Sequence, residues 1–158
     1  MKSSRQIAKH FKEVFFGGNW TAVNFKDNLE NISWQQATKK IESFNTIAIL
    51  TFHIGYYVSA VSKVLEGGEL VAKDELSFSH SPINSQEDWD GLVSKILVDA
   101  EKMANLIGQL EEQRLWGNFT DEKYGIYYRN LLGIIEHTHY HLGQISLIKK
   151  LVLKVGKD

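Results

Sequence analysis

The chain has 158 residues and a formal net charge of −1, with six histidines, one proline and no cysteine. Its length suits one domain over residues 1–158 with a core of its own, and 43% apolar against 23% charged residues describes a globular chain, not a disordered one. The near-neutral balance argues against an electrostatic grip on nucleic acid, and the missing cysteine excludes disulfides, zinc ribbons, iron–sulfur clusters and thiol nucleophiles.

The amino terminus, Met1 to Lys12, mixes charge and polarity and has no apolar stretch of the length a signal peptide needs. A short helix is expected over Ser4 to Phe16, closed by Gly17-Gly18. Ser33 is a suitable N-cap for a turn or two from Trp34 to about Lys40. From Asn45 to Glu66 the spacing of Ile47, Leu50, Ile54, Tyr57 or Val58, Val61 and Leu65 predicts a helix with one inward face, stopped by Gly67-Gly68. The most apolar run, Thr46 to Val64, contains His53, Ser59, Ser62 and Lys63, so no window approaches the ~20 apolar residues of a membrane span.

Leu70 to Asn84 contains Pro82 and no helical period, so it reads as a long ordered crossover. The clearest helix follows, from Ser85 to about Arg114, with Trp89, Leu92, Val93, Ile96, Ala100, Met103, Ile107 and Leu110 in one stripe. Ser85 followed by Asp88 is an acidic variant of the capping box. Gly117 marks the next joint, and the longest helix is expected from about Gly125 to Leu153, with Lys149 and Lys150 suiting its carboxyl-terminal dipole. Gly156 is the last joint. No segment alternates as a strand does. The expected fold is therefore all-α, a four-helix bundle with one long crossover. With neither an export signal nor cysteine, a cytoplasmic location is expected.

Three of the six histidines fall within five residues, in Glu136-His137-Thr138-His139-Tyr140-His141. On a helix His137 and His141 share a face, with Ile134, Ile145 and Ile148 on or beside it, so the pair points inward. His139 is rotated well away from both. His53 lies beside Ile54 on the inward stripe of its own helix. An inward pair plus a core-facing histidine from another helix can converge. Neutral imidazole is a ligand for zinc, nickel, copper and iron(II), and three of them leave a coordination position open. Spacing alone leaves two readings standing: a metal site, or a hydrogen-bonded polar core. The pattern is not the zincin motif, because Thr138 stands where that motif needs glutamate.

His53 in Leu50-Thr51-Phe52-His53-Ile54, with the downstream H-x-x-x-H-x-G-Q signature formed by His137, His141, Gly143 and Gln144, resembles the DinB/YfiT-like superfamily of metalloenzymes. The resemblance covers essentially the whole chain. It implies a homodimeric four-helix bundle in an up-down-down-up arrangement, with a divalent metal held by His53, His137 and His141 and water completing the shell. Zinc or nickel is the first choice of ion, with iron or manganese as alternatives. It further implies a small-molecule substrate and a thiol-dependent transferase or isomerase activity, with a low-molecular-weight thiol as cosubstrate; hydrolysis is the other enzymatic possibility. The competing expectation is a non-catalytic bundle that binds a metal or ligand.

Further residues carry weaker expectations. Six tyrosines, Tyr56, Tyr57, Tyr124, Tyr127, Tyr128 and Tyr140, lie on or near the helices of the site and are expected mainly as rim residues. Gln144 suits a hydrogen-bond donor behind the ligand histidines or a polar contact between subunits. Glu136 and Arg129 either pair with each other, line the mouth of the site, or face solvent. Trp20, Trp34 and Trp116 are expected to cover the ends of the bundle, and His10 and His80 to lie at the surface.

Overall fold

The computed structural model describes residues 2–154, which form six α-helices, and the described residues contain no strand. They are α1 (Ser3–Phe16), α2 (Phe25–Leu29), α3 (Trp34–Thr38), α4 (Ile47–Leu65), α5 (Gln86–Gln109) and α6 (Tyr127–Lys154). Three short 3₁₀ turns cover Asp74–Phe78, Glu112–Trp116 and Glu122–Tyr124. The all-α expectation is met; Gly156 lies outside the described residues.

Local chemistry sets the helix ends. Ser33 makes a reciprocal capping box, its hydroxyl accepting from the Gln36 amide at 3.2 Å while Gln36 accepts from the Ser33 amide at 2.9 Å. Ser85 accepts from the Asp88 amide at 3.1 Å, but Asp88 returns its bond to the Asn84 amide, one residue earlier than a capping box would place it. Thr46 caps α4. At the far end of α4, Gly68 N–H bonds Lys63 O at 2.8 Å and Gly67 N–H bonds Val64 O at 3.0 Å. This pair of bonds is a Schellman stop, and it needs Gly67 at its φ of +89°.

The long helices pack in pairs: α1 on α5 and α6, α4 on α5 and α6. Between them lies a core that includes Phe11, Phe15, Ile54, Trp89, Leu131 and Ile145. The helices α4 and α5 come close at Gly55, where a Cβ would stand 2.5 Å from Ile96 Cγ1. The packed Ile96 side chain leaves no room there for anything larger than glycine without a shift.

Several expectations are corrected. The helix α4 is long and apolar enough to cross a membrane, with a mean hydropathy of 1.3, so a window of that kind does exist. Within the fold 67% of it is buried, and its packing against α3, α5 and α6 accounts for its apolar character. The crossover is not without helical structure, since Asp74–Phe78 winds into a 3₁₀ turn that packs on α4. The helix α5 ends at Gln109; Leu110 turns to extended backbone (ψ 134°) and a separate turn, Glu112–Trp116, buries Leu115. The helix α2, capped by Asn24, was not expected. Trp20 is fully exposed and covers nothing, whereas Trp116 stacks on Tyr128 and Trp34 packs against the core.

Candidate metal centre

The helix α4 is buried on most of its circumference, so a polar side chain at its middle has no access to bulk water and must find partners inside. His53 is that residue, 4% exposed. The helix α6 supplies His137 and His141, one turn apart on the face turned to α4. One imidazole nitrogen from each of the three comes within 4.8 Å of the others. The ring centroids are 4.5–4.8 Å apart. Tetrahedral coordination with metal–nitrogen bonds of ~2.0–2.1 Å sets neighbouring ligand nitrogens roughly 3.3 Å apart. The cluster is close enough to hold one ion, with the ligand nitrogens drawing together around it.

Hydrogen bonding decides which nitrogen of each ring is free. The hydroxyl of Ser77 donates to Asp74 O at 2.6 Å, which commits its only hydrogen. Its oxygen can then only accept from His53 Nδ1, 2.9 Å away. That bond puts the proton of His53 on Nδ1 and leaves Nε2 as a bare lone pair directed at the cluster. His141 is held in the same way, its Nδ1–H donating to Gln144 Oε1 at 2.7 Å, so Gln144 accepts here and is not the expected donor. An outer hydrogen bond that fixes the tautomer is the usual support of a metal-binding imidazole. His137 differs: its Nε2 lies 2.9 Å from His53 Nε2, and its buried Nδ1 has no partner.

Electrostatics act the same way on all three rings. Burial, reinforced by the neighbouring imidazoles, pushes His137 down from 6.5 to about 4. Burial lowers His53, with His141 adding to the effect and Asp74 and Ser77 opposing it. Burial also lowers His141, against the Gln144 hydrogen bond. At neutral pH the cluster is three uncharged imidazoles, which is the form that binds a cation. The donor set fits a divalent transition-metal ion.

The 3₁₀ turn straps this arrangement in place. Phe78 stacks on the His53 ring with centroids 4.1 Å apart and planes 18° from parallel. Tyr57 donates its phenol proton to Asp74 Oδ1 at 2.9 Å and sets its ring edge-on to His137 and His53. Tyr56 accepts from the Lys73 amide at 2.8 Å. Sequence reasoning missed Ser77, Asp74 and Phe78. The only available signal was the Asp74/Ser77 spacing of a one-turn motif, which says nothing about a partner on another helix.

Other histidines lie elsewhere. His139 faces α1, its ring 6.4 Å from that of the exposed His10. His80 is partly exposed, its ring beside Phe52. Among the tyrosines, Tyr127 is buried against Arg114 and Tyr140 is exposed. A cleft of about 560 Å³ opens between α4 and α6, with His137 and Tyr57 in its wall and both Arg129 and Glu136 on its lining. Compared with protein-family models, curated proteins and solved structures, the chain matches none.

Proposed function

We propose that this chain is a divalent-metal enzyme of the DinB/YfiT-like kind, holding its ion on His53, His137 and His141 and acting on a small molecule. The single observation that carries the reading is the convergence of three neutral imidazoles, two of them fixed with Nε2 free by Ser77 and Gln144. When bound, zinc or nickel, or else iron or manganese, would supply Lewis acidity at a coordination position that three protein ligands leave open.

The residues around it divide the work. Ser77 and Gln144 orient the rings, Phe78 and the strap keep bulk water off one side, and the cleft beside His137 gives substrate a way in. Transfer or isomerisation with a low-molecular-weight thiol is the favoured reaction class, with hydrolysis the alternative. Any thiol must come from solution, because the chain has no cysteine. The pairing of α1, α5, α4 and α6 into a closed ring of contacts supports a four-helix bundle. Homodimer formation and a cytoplasmic location belong to the same reading, as does the absence of a nucleic-acid partner, which the net charge of −1 supports.

Elemental analysis of the purified chain tests it. About one divalent ion per chain is expected, lost in His141→Ala with the helical circular dichroism unchanged. Full metal content in that variant sinks the assignment.

A second reading has one observation in its favour. The 2.9 Å contact between His137 Nε2 and His53 Nε2 is also what a metal-free polar network would make. The two separate on chelation: added zinc raises the melting temperature of the stripped protein only if the cluster binds it. In the metal reading the stripped protein stays folded, because apolar side chains make the packing among α1, α4, α5 and α6.

A further inference from the structure

Arg129, Gly133, His137 and His141 follow one another along α6 at intervals of four. They form one row on the helix, with ~6 Å of axial rise between neighbours. The cleft of about 560 Å³ runs along the first three, walled by Tyr57, Val61 and Tyr128.

Two features of this row are unexplained by the fold. The first is Gly133. A glycine inside a helix costs about 0.5–1 kcal/mol relative to alanine. Packing does not demand it here, since a Cβ at Gly133 would meet nothing within 4 Å, in contrast to Gly55. Its effect is to leave a bare floor in the middle of the cleft. The second is Arg129. Its guanidinium is exposed, makes a long 3.4 Å contact with Tyr124 O, and takes part in none of the ion pairs among the described residues. Among the described residues it is the only cationic side chain lining the cleft. Glu136 lies at the opposite end beside His137, also outside those ion pairs.

The cleft therefore has a positive end, an apolar middle with an open floor, and a negative end next to the histidine cluster. A ligand with one anionic group has only one favourable orientation in such a field, since Glu136 repels the anion from the cluster end. A single guanidinium matches one carboxylate in bidentate geometry, and no second cation on the lining answers the second charge of a phosphate.

We propose that this cleft binds an elongated small-molecule carboxylate. Its carboxylate pairs with Arg129, its apolar body lies over Gly133 between Tyr57, Val61 and Tyr128, and its uncharged end meets His137. The span between charge and reacting end is on the order of 12 Å, the helical rise over eight residues. That the uncharged end is the reacting one rests on the metal reading above. The pairing with Arg129 does not.

The test titrates zinc-treated full-length protein with 6-phenylhexanoate, with its amide and with 6-phenylhexyl phosphate by calorimetry, and measures zinc content in the same samples. The carboxylate is expected to bind at least about tenfold more tightly than either of the others. Arg129→Gln abolishes this preference, and Gly133→Leu removes binding of all three, with zinc content unchanged in both variants. Equal binding of carboxylate and amide overturns the proposal, as do a phosphate that binds as tightly as the carboxylate, a preference that survives Arg129→Gln, or no saturable binding up to about 10 mM. Should Gly133→Leu fail to fold, Arg129→Gln decides alone, since it alters an exposed side chain. Wild-type protein that takes up no zinc defeats the metal reading and leaves the Arg129 comparison intact.

Discussion

His53 Nδ1 lies 2.9 Å from the hydroxyl of Ser77, and that hydroxyl already donates its hydrogen bond to the carbonyl of Asp74. The crossover thereby dictates the tautomer of a histidine on another element. Ser77→Ala removes the acceptor and leaves a buried imidazole N–H without a partner, which costs about 1–3 kcal/mol of stability. It also frees the ring to rotate or change tautomer, so zinc affinity is expected to fall by about 10–100-fold. Competition titration against a chromophoric chelator reads the second effect. An unchanged zinc affinity shows that Ser77 does not position His53.

Stability against pH follows from the three depressed imidazoles. In the unfolded chain each binds its proton near 6.5, whereas in the fold His137 does so only near 4. Between those values the unfolded state holds more protons, so stability rises with pH across that interval. The contribution is complete above about 6.5 and is lost as pH falls towards 4. Urea midpoints of metal-stripped protein are expected to rise from about pH 4.5 to pH 7 and then level off. His137→Gln should flatten the rise. The comparison with that variant separates the imidazoles from Asp88 and Glu112, whose carboxyls hydrogen bonds hold below their ordinary range.

Glycine to alanine has opposite signs at two sites. At Gly55 the new methyl would stand 2.5 Å from Ile96 Cγ1, and either α5 moves or the isoleucine leaves its rotamer. A net loss of about 1–2 kcal/mol is expected, after the better helix propensity of alanine is included. At Gly91, exposed on α5, a Cβ would meet nothing within 4 Å. There the propensity term acts alone, and a gain of about 0.5–1 kcal/mol is expected. Chemical denaturation of both variants checks the pair; a stabilising Gly55→Ala rules out the close helix approach.

The sequence was most legible where a feature repeats or caps. The stripe from Trp89 to Ile107 spans several turns, and Ser33, Thr46 and Ser85 each carry a local hydrogen bond that their own residue type dictates. The ligand candidates were legible for the same reason, since a four-residue interval fixes a shared face whatever the tertiary structure. Short elements were not. The helix α2 offers only Phe25 and Leu29 as buried contacts, and Asp74–Phe78 has a period of three and a single buried residue, Ser77. Neither gives a periodicity to detect. The far end of α5 misled because Leu110 continues the apolar stripe although the backbone turns extended at that residue, and no glycine or proline between it and Gly117 marks the stop. Ser77 and Phe78 matter through what lies across from them, which depends on how the crossover settles on α4.

The row from Arg129 to His141 also acts as an angular ruler. One residue inserted between Gly133 and His137 would leave α6 helical on both sides yet rotate the two histidines by about 100° relative to Arg129. The arginine would keep its place over the cleft while the imidazoles swept off the line to His53. Changes of length in this segment are thus far more damaging than changes of identity at its exposed positions. By contrast, the Gly18–Val23 loop, which carries the solvent-exposed Trp20, has room to lengthen without disturbing any distance in the cluster.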